Sequence, residues 1–84
     1  MGMLKIKVVD AAGATLAGQI VKISGADALQ TSAEGMAQFL IESDVSIDIE
    51  INDASAWSGN SSQLVREELF KAEGAGFARV NVGK

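Results

Sequence analysis

Val45-Ser46-Ile47-Asp48-Ile49-Glu50-Ile51 alternates apolar and polar residues without a break. Strand side chains point to opposite faces in turn, so the heptad sets four β-branched groups on one face and Ser46, Asp48 and Glu50 on the other. A helix cannot use this pattern, because a period of two smears the apolar residues around its axis. The stretch reads as a strand with one buried face, and the rest of the chain reads as strands that cover it.

Upstream, Leu4 to Val9 repeats the alternation, with Leu4, Ile6 and Val8 inward and Lys5 and Lys7 outward. Asp10-Ala-Ala-Gly13 closes it with turn chemistry. Leu16 to Ile23 reads as the next strand, with a bulge or bend at Ala17-Gly18 because Leu16 is out of phase with Val21 and Ile23. Ala28 to Ser32 reads as a short connection or edge strand, and Ala33-Glu-Gly35 as a tight turn with Gly35 left-handed. Met36 to Ile41 is a strand with Ala37, Phe39 and Ile41 on one face and Met36, Gln38 and Leu40 on the other. Glu42-Ser-Asp44 leads into the heptad.

Beyond Ile51 the pattern weakens. Asn52 to Ser62 reads as a long polar loop interrupted by Trp57, the kind of segment in which a rigid scaffold often carries its function. Gln63 to Phe70 admits a helix, with Leu64, Val65, Leu69 and Phe70 as its stripe, or a strand with Val65 and Leu69 on one face and Glu67 between them. The β surroundings favour the strand. Ala72-Glu-Gly-Ala-Gly76 reads as a Gly-rich turn, and Phe77 to Val82 as the closing strand with Ala78, Val80 and Val82 inward. About seven short strands separated by Gly or Asp turns make an all-β, antiparallel sandwich.

Composition sets limits on function. The 84 residues suffice for one domain, 48% are hydrophobic and 21% charged, and Cys is absent, so no disulfide or thiolate metal site can staple the fold. A net charge of −4 with scattered basic residues opposes nucleic-acid binding. Met1 to Leu4 runs directly into a charged strand, with neither a signal peptide nor a membrane-inserting segment. The chain therefore reads as cytoplasmic or as a domain of a larger protein. Met1-Gly2-Met3 also suits a two-residue leader, which sets the domain at 3–84.

Three segments in series carry a resemblance: Val8-Val-Asp-Ala-Ala-Gly-Ala-Thr-Leu-Ala-Gly-Gln-Ile-Val21, Thr31-Ser-Ala-Glu-Gly-Met-Ala-Gln-Phe39 and Val45-Ser-Ile-Asp-Ile49. With Asp10, Gly13, Leu16, Gly18, Val21, Thr31, Gly35 and Phe39 at matching positions, the chain resembles the transthyretin-like or carboxypeptidase-regulatory-like β-sandwich. Bacterial Ig-like adhesin repeats share much of the pattern. Thr15 stands where the family usually has Pro, and no Tyr follows the central strand. The resemblance implies an Ig-like or prealbumin-like sandwich and a non-enzymatic role: a structural or protein-binding module, including accessory parts of secretion or phage-like assemblies.

The chemistry agrees with a non-enzymatic reading and with no cofactor. Without His or Cys, the usual general base and the strongest nucleophile are missing, and no Ser-x-x-Lys or Gly-x-Ser-x-Gly occurs. Asp44, Asp48 and Glu50 match no calcium loop and read as a solvated acidic surface. Asn60-Ser-Ser62 fits a glycosylation sequon but follows no secretory signal. Lys5, Lys7, Lys22 and Asn81 are the strand candidates for a Lys–Asn cross-link, and all three lysines alternate onto polar faces. Trp57 reads as a core plug or as a contact residue. The candidate partner-binding residues are Asn52, Asp53, Trp57 and Asn60, for a protein partner or self-association; the alternative is a carbohydrate-binding or adhesin-type module in which Trp57 and the 52–62 loop meet a sugar.

Overall fold

The apolar alternation forces strands into layers, because each strand buries only one face. In the computed structural model, which describes residues 2–80, these layers are two four-stranded sheets packed face to face. The strands are β1 (Gly2–Val9), β2 (Ile20–Ile23), β3 (Leu29–Gln30), β4 (Met36–Ile41), β5 (Ser46–Ile51), β6 (Ala54–Asn60), β7 (Glu67–Glu73) and β8 (Gly76–Val80), with one 3-10 turn at Ser61–Gln63. Sheet A runs β4-β1-β7-β8 and sheet B runs β3-β2-β5-β6. All neighbours are antiparallel except β1 and β7, which are parallel. The result is an all-β sandwich, as the sequence predicts, with eight strands.

Between the sheets lies the core: Leu4, Ile6 and Val8 of β1, Val21 and Ile23 of β2, Ala37 and Phe39 of β4, Ile47, Ile49 and Ile51 of β5, and Phe70 of β7. The heptad sits where its alternation requires, with its three isoleucines buried. Two turns show why their residues are needed. The Asp10 carboxylate accepts from the Ala12 and Ala14 amides, both at 2.9 Å, which folds the chain back after β1. Gly35 has φ +76°, and a Cβ there would lie 2.7 Å from the Val8 carbonyl oxygen, so only glycine fits.

The structure corrects the reading in five places. Leu16 to Gln19 is not strand: Gly18 has φ +73°, and the buried Thr31 hydroxyl donates to the Leu16 carbonyl at 2.6 Å and accepts from the Gln19 amide at 2.9 Å. The expected 52–62 loop is instead a two-residue turn, strand β6 and the 3-10 turn. Residues 63–66 lie before β7, Val65 is exposed, and the inward residues are Glu68 and Phe70 rather than Val65 and Leu69. In β8 the phase is reversed. Phe77 and Arg79 pair with Ala72 and the buried Phe70, so they point inward, and Ala78 and Val80 point outward. The turn before β8 is only Gly74-Ala75. Asn81 and Val82 lie outside the described residues.

Candidate functional site

Asn52 and Asp53 have φ of +54° and +68°, the left-handed pair that joins antiparallel strands in register with their twist. Asn and Asp tolerate that conformation better than other side chains. Asn52 adds a clamp: its Oδ1 accepts from the Ile20 amide at 2.9 Å and its Nδ2 donates to Gln19 Oε1 at 2.8 Å. Its carboxamide therefore ties the β5–β6 turn to β2.

Asn60, at the far end of β6, has a similar local duty. Its Oδ1 accepts from the Ser62 amide at 2.9 Å while Gln63 Oε1 accepts from the Asn60 amide at 3.1 Å, a capping box on the 3-10 turn. Between these ends the pairing of β6 with β5 shifts, from Glu50–Ser55 to Ile49–Trp57, so Ala56 is an extra residue in a β-bulge. The bulge turns Trp57 onto the inner face, where it packs half-buried against the core. Its ring covers Gly59, where a Cβ would fall 2.8 Å from the ring edge. The four candidate residues are thus strung along the β5–β6 turn and β6. At a rise of about 3.3 Å per residue, Asp53 and Asn60 are separated by roughly 20 Å, and the structure gathers no common site from them.

Trp57 instead meets a pair that the sequence reading did not find. β6 and β8, edges of different sheets, run beside each other along one side of the sandwich. Arg79 of β8 sits 5.7 Å from the Trp57 ring centroid, within cation–π range. Its Nε and Nη2 donate to the two carboxylate oxygens of Glu68 at 2.7 and 3.0 Å, and the Val65 amide donates to the same carboxylate at 2.7 Å. Glu68 is only 1% exposed and Arg79 24%. The hydrogen bond to Glu68 holds the Arg79 guanidinium above its ordinary pKa, so it stays cationic at any working pH. Both oxygens of the buried Glu68 carboxylate are thus satisfied within the chain, and the cluster acts as a structural clasp.

Each sheet also has an outer face. That of sheet B is mostly polar: Lys22, Ser24, Ser46, Asp48, Glu50, Ser55 and Ser58 share it with the exposed Ile20, and Ser58 Oγ donates to the Asp48 carboxylate. That of sheet A carries Met3, Leu40 and Leu69 among Lys5, Lys7, Gln38, Glu67 and Lys71. Met3 and Leu40 are register partners, 43% and 64% exposed, and Met3 lines a groove with Val65, which is 57% exposed. The sequence held one signal for this patch, since the outward face of 36–41 contains Met36 and Leu40 where a solvated face would be polar. Among the described residues no three carboxylates lie close enough to share a metal ion, and no helix is long and apolar enough to cross a membrane. No protein-family model, no curated protein and no solved structure matches the chain.

Proposed function

We propose that the protein is a non-enzymatic β-sandwich module, structural or protein-binding, that works by presenting the outer face of sheet A to another protein. The observation that carries this reading is the exposed register pair Met3 and Leu40 on that face, with exposed Val65 lining one groove with Met3. Single exposed apolar residues are ordinary, but adjacent exposed apolar residues are typical of contact surfaces. A place in a secretion or phage-like assembly rests on the sequence resemblance to transthyretin-like domains. The carbohydrate-binding alternative has less support, because Trp57 packs against the core and lies beside Arg79.

A photo-crosslinking residue at position 40, irradiated in cells, is expected to give a discrete adduct identifiable by mass spectrometry. The same residue at position 46, on the outer face of sheet B, is expected to give none. Adducts from position 46 alone would move the contact surface to the other sheet and overturn the reading.

A further inference from the structure

We infer that the partner presents an extended segment that adds to the open edge of β4, apolar at its centre, basic at one end and acidic at the other. The inference rests on the proposed contact role of sheet A and names what meets it. The sandwich has four edge strands, β3, β4, β6 and β8. β3 is two residues long, while β6 carries a bulge and runs beside β8. β4 has none of the devices that blunt an edge: Met36–Ile41 pairs with β1 in unbroken register and contains no charge and no Pro. Its hydrogen-bonding groups alternate. The Gly35 carbonyl accepts from the Val8 amide at 2.8 Å, so in this register positions 37, 39 and 41 bond to β1 while 36, 38 and 40 point away from it. Met36 is taken, because its carbonyl accepts from the Ser32 amide at 2.9 Å and its amide donates to Ser32 Oγ at 3.4 Å. Among the described residues no hydrogen bond reaches the backbone amide or carbonyl of Gln38 or Leu40, both exposed. Those two donors and two acceptors match one strand laid alongside.

The surroundings of the edge state what that strand carries. An antiparallel neighbour turns its residues opposite Phe39 and Ile41 to the inner side. There Ile41 lines a groove with Ile23, Ala26, Val45 and Ile47, so both of these residues are apolar. On the outer side, the residue opposite Leu40 extends the exposed row of Leu40 and Met3 and is apolar as well. The residue opposite Gln38 extends the row of Gln38 and Lys5. Lys5 is flanked by Glu67 on β7 but forms no ion pair with it; Glu68–Arg79 is the one such pair among the described residues. An acidic side chain opposite Gln38 therefore has Lys5 to meet. Beyond the other end of β4, exposed Glu42 suits a basic residue. A second copy of β4 does not supply this pattern: its Ala37 and Phe39, each 5% exposed, already fill their own core and leave nothing for the groove. The occupant is a segment with no core of its own.

The probe is a capped peptide, Ser-Lys-Val-Leu-Val-Glu-Ser, which laid antiparallel sets its Lys opposite Glu42 and its Glu opposite Gln38. Titrated into the isotope-labelled chain and followed by amide NMR, it is expected to bind at about 0.1–1 mM. The amides of Gln38 and Leu40 should shift and slow in hydrogen exchange, and those on the outer face of sheet B should not. N-methylating the peptide's Leu and Glu amides removes its backbone donors, keeps every side chain and should abolish binding. Exchanging its Lys and Glu should weaken binding by roughly fivefold or more. Gln38→Pro removes one outward N–H and none of the bonds to β1, so it should remain folded by circular dichroism and lose binding. No shift at Gln38 and Leu40 up to about 5 mM peptide, equal binding of the N-methylated or the charge-exchanged peptide, or protection of both amides in the concentrated chain alone, the mark of a second copy, would each overturn the inference. No peptide binding while a position-40 crosslinker still captures another protein would remove the added strand and leave the contact role standing.

Discussion

β5 and β7 hold the same place in their sheets, next to an outer strand, yet they bury different chemistry. β5 turns Ile47, Ile49 and Ile51 inward, while β7 turns Glu68, Phe70 and Ala72. The first row is stable simply by leaving water. The second includes a carboxylate that is tolerable inside only because Arg79 and the Val65 amide meet both its oxygens. An inward position is therefore fixed by what the opposite strand supplies as well as by the residue's own polarity.

Removing the apolar part should have the largest effect. Phe70→Ala empties a fully buried site and is expected to cost about 3–5 kcal/mol, a large share of the stability of so small a domain. Urea unfolding measures it, and a loss below about 1 kcal/mol would mean the sheets collapse to fill the space.

Breaking the polar part should cost less and behave differently. Glu68→Leu leaves Arg79 without its carboxylate and is expected to cost about 2 kcal/mol, below the 3–5 of a fully buried pair because Arg79 still reaches water. Adding Arg79→Leu should recover most of that loss, since a packed apolar pair can replace a buried ionic one. A double-mutant cycle with no coupling would show that the two residues act independently.

The smallest effect concerns the turns that follow each strand. Asn52→Ala strands the Ile20 amide and places Ala at φ +54°, for an expected loss of about 1–2 kcal/mol. Gly replaces Asn there at lower cost, because it keeps the left-handed geometry and loses only the side-chain bonds. Equal stability of the Ala and Gly variants would show that backbone strain contributes nothing.

The same contrast explains what was legible in the sequence. β1, β4 and β5 bury apolar residues at every second position, so the sandwich could be read from them directly. β6 was hidden because the extra Ala56 shifts its phase halfway along, so neither half sustains a period of two. The Asn52-Asp53 turn was read as the start of a loop, although two left-handed-tolerant residues between strands are a hairpin signal in their own right. β7 and β8 were read in the wrong phase because Glu68 and Arg79 each look like surface residues, and only their pairing across the sheet makes them interior. Of the candidate residues, Trp57 was singled out for its rarity, and it takes its place beside Arg79. Asn52 and Asn60 serve the backbone locally, which no single-chain pattern distinguishes from a surface role.

The parallel contact between β1 and β7 has a consequence for how the chain reaches its fold. Ile6 and Glu68 are neighbours in the sheet but more than sixty positions apart in sequence. Until Glu67 to Glu73 is available, β1 has only β4 beside it, and its other side stays an open edge. Closing so long a loop before the central pairing forms delays the rewarding contacts and places the domain among slow, millisecond-to-second folders. The first strand of the sandwich thus remains unpaired on one side until nearly its last strand arrives, and that interval is when an unfinished copy is most open to pairing with the wrong neighbour.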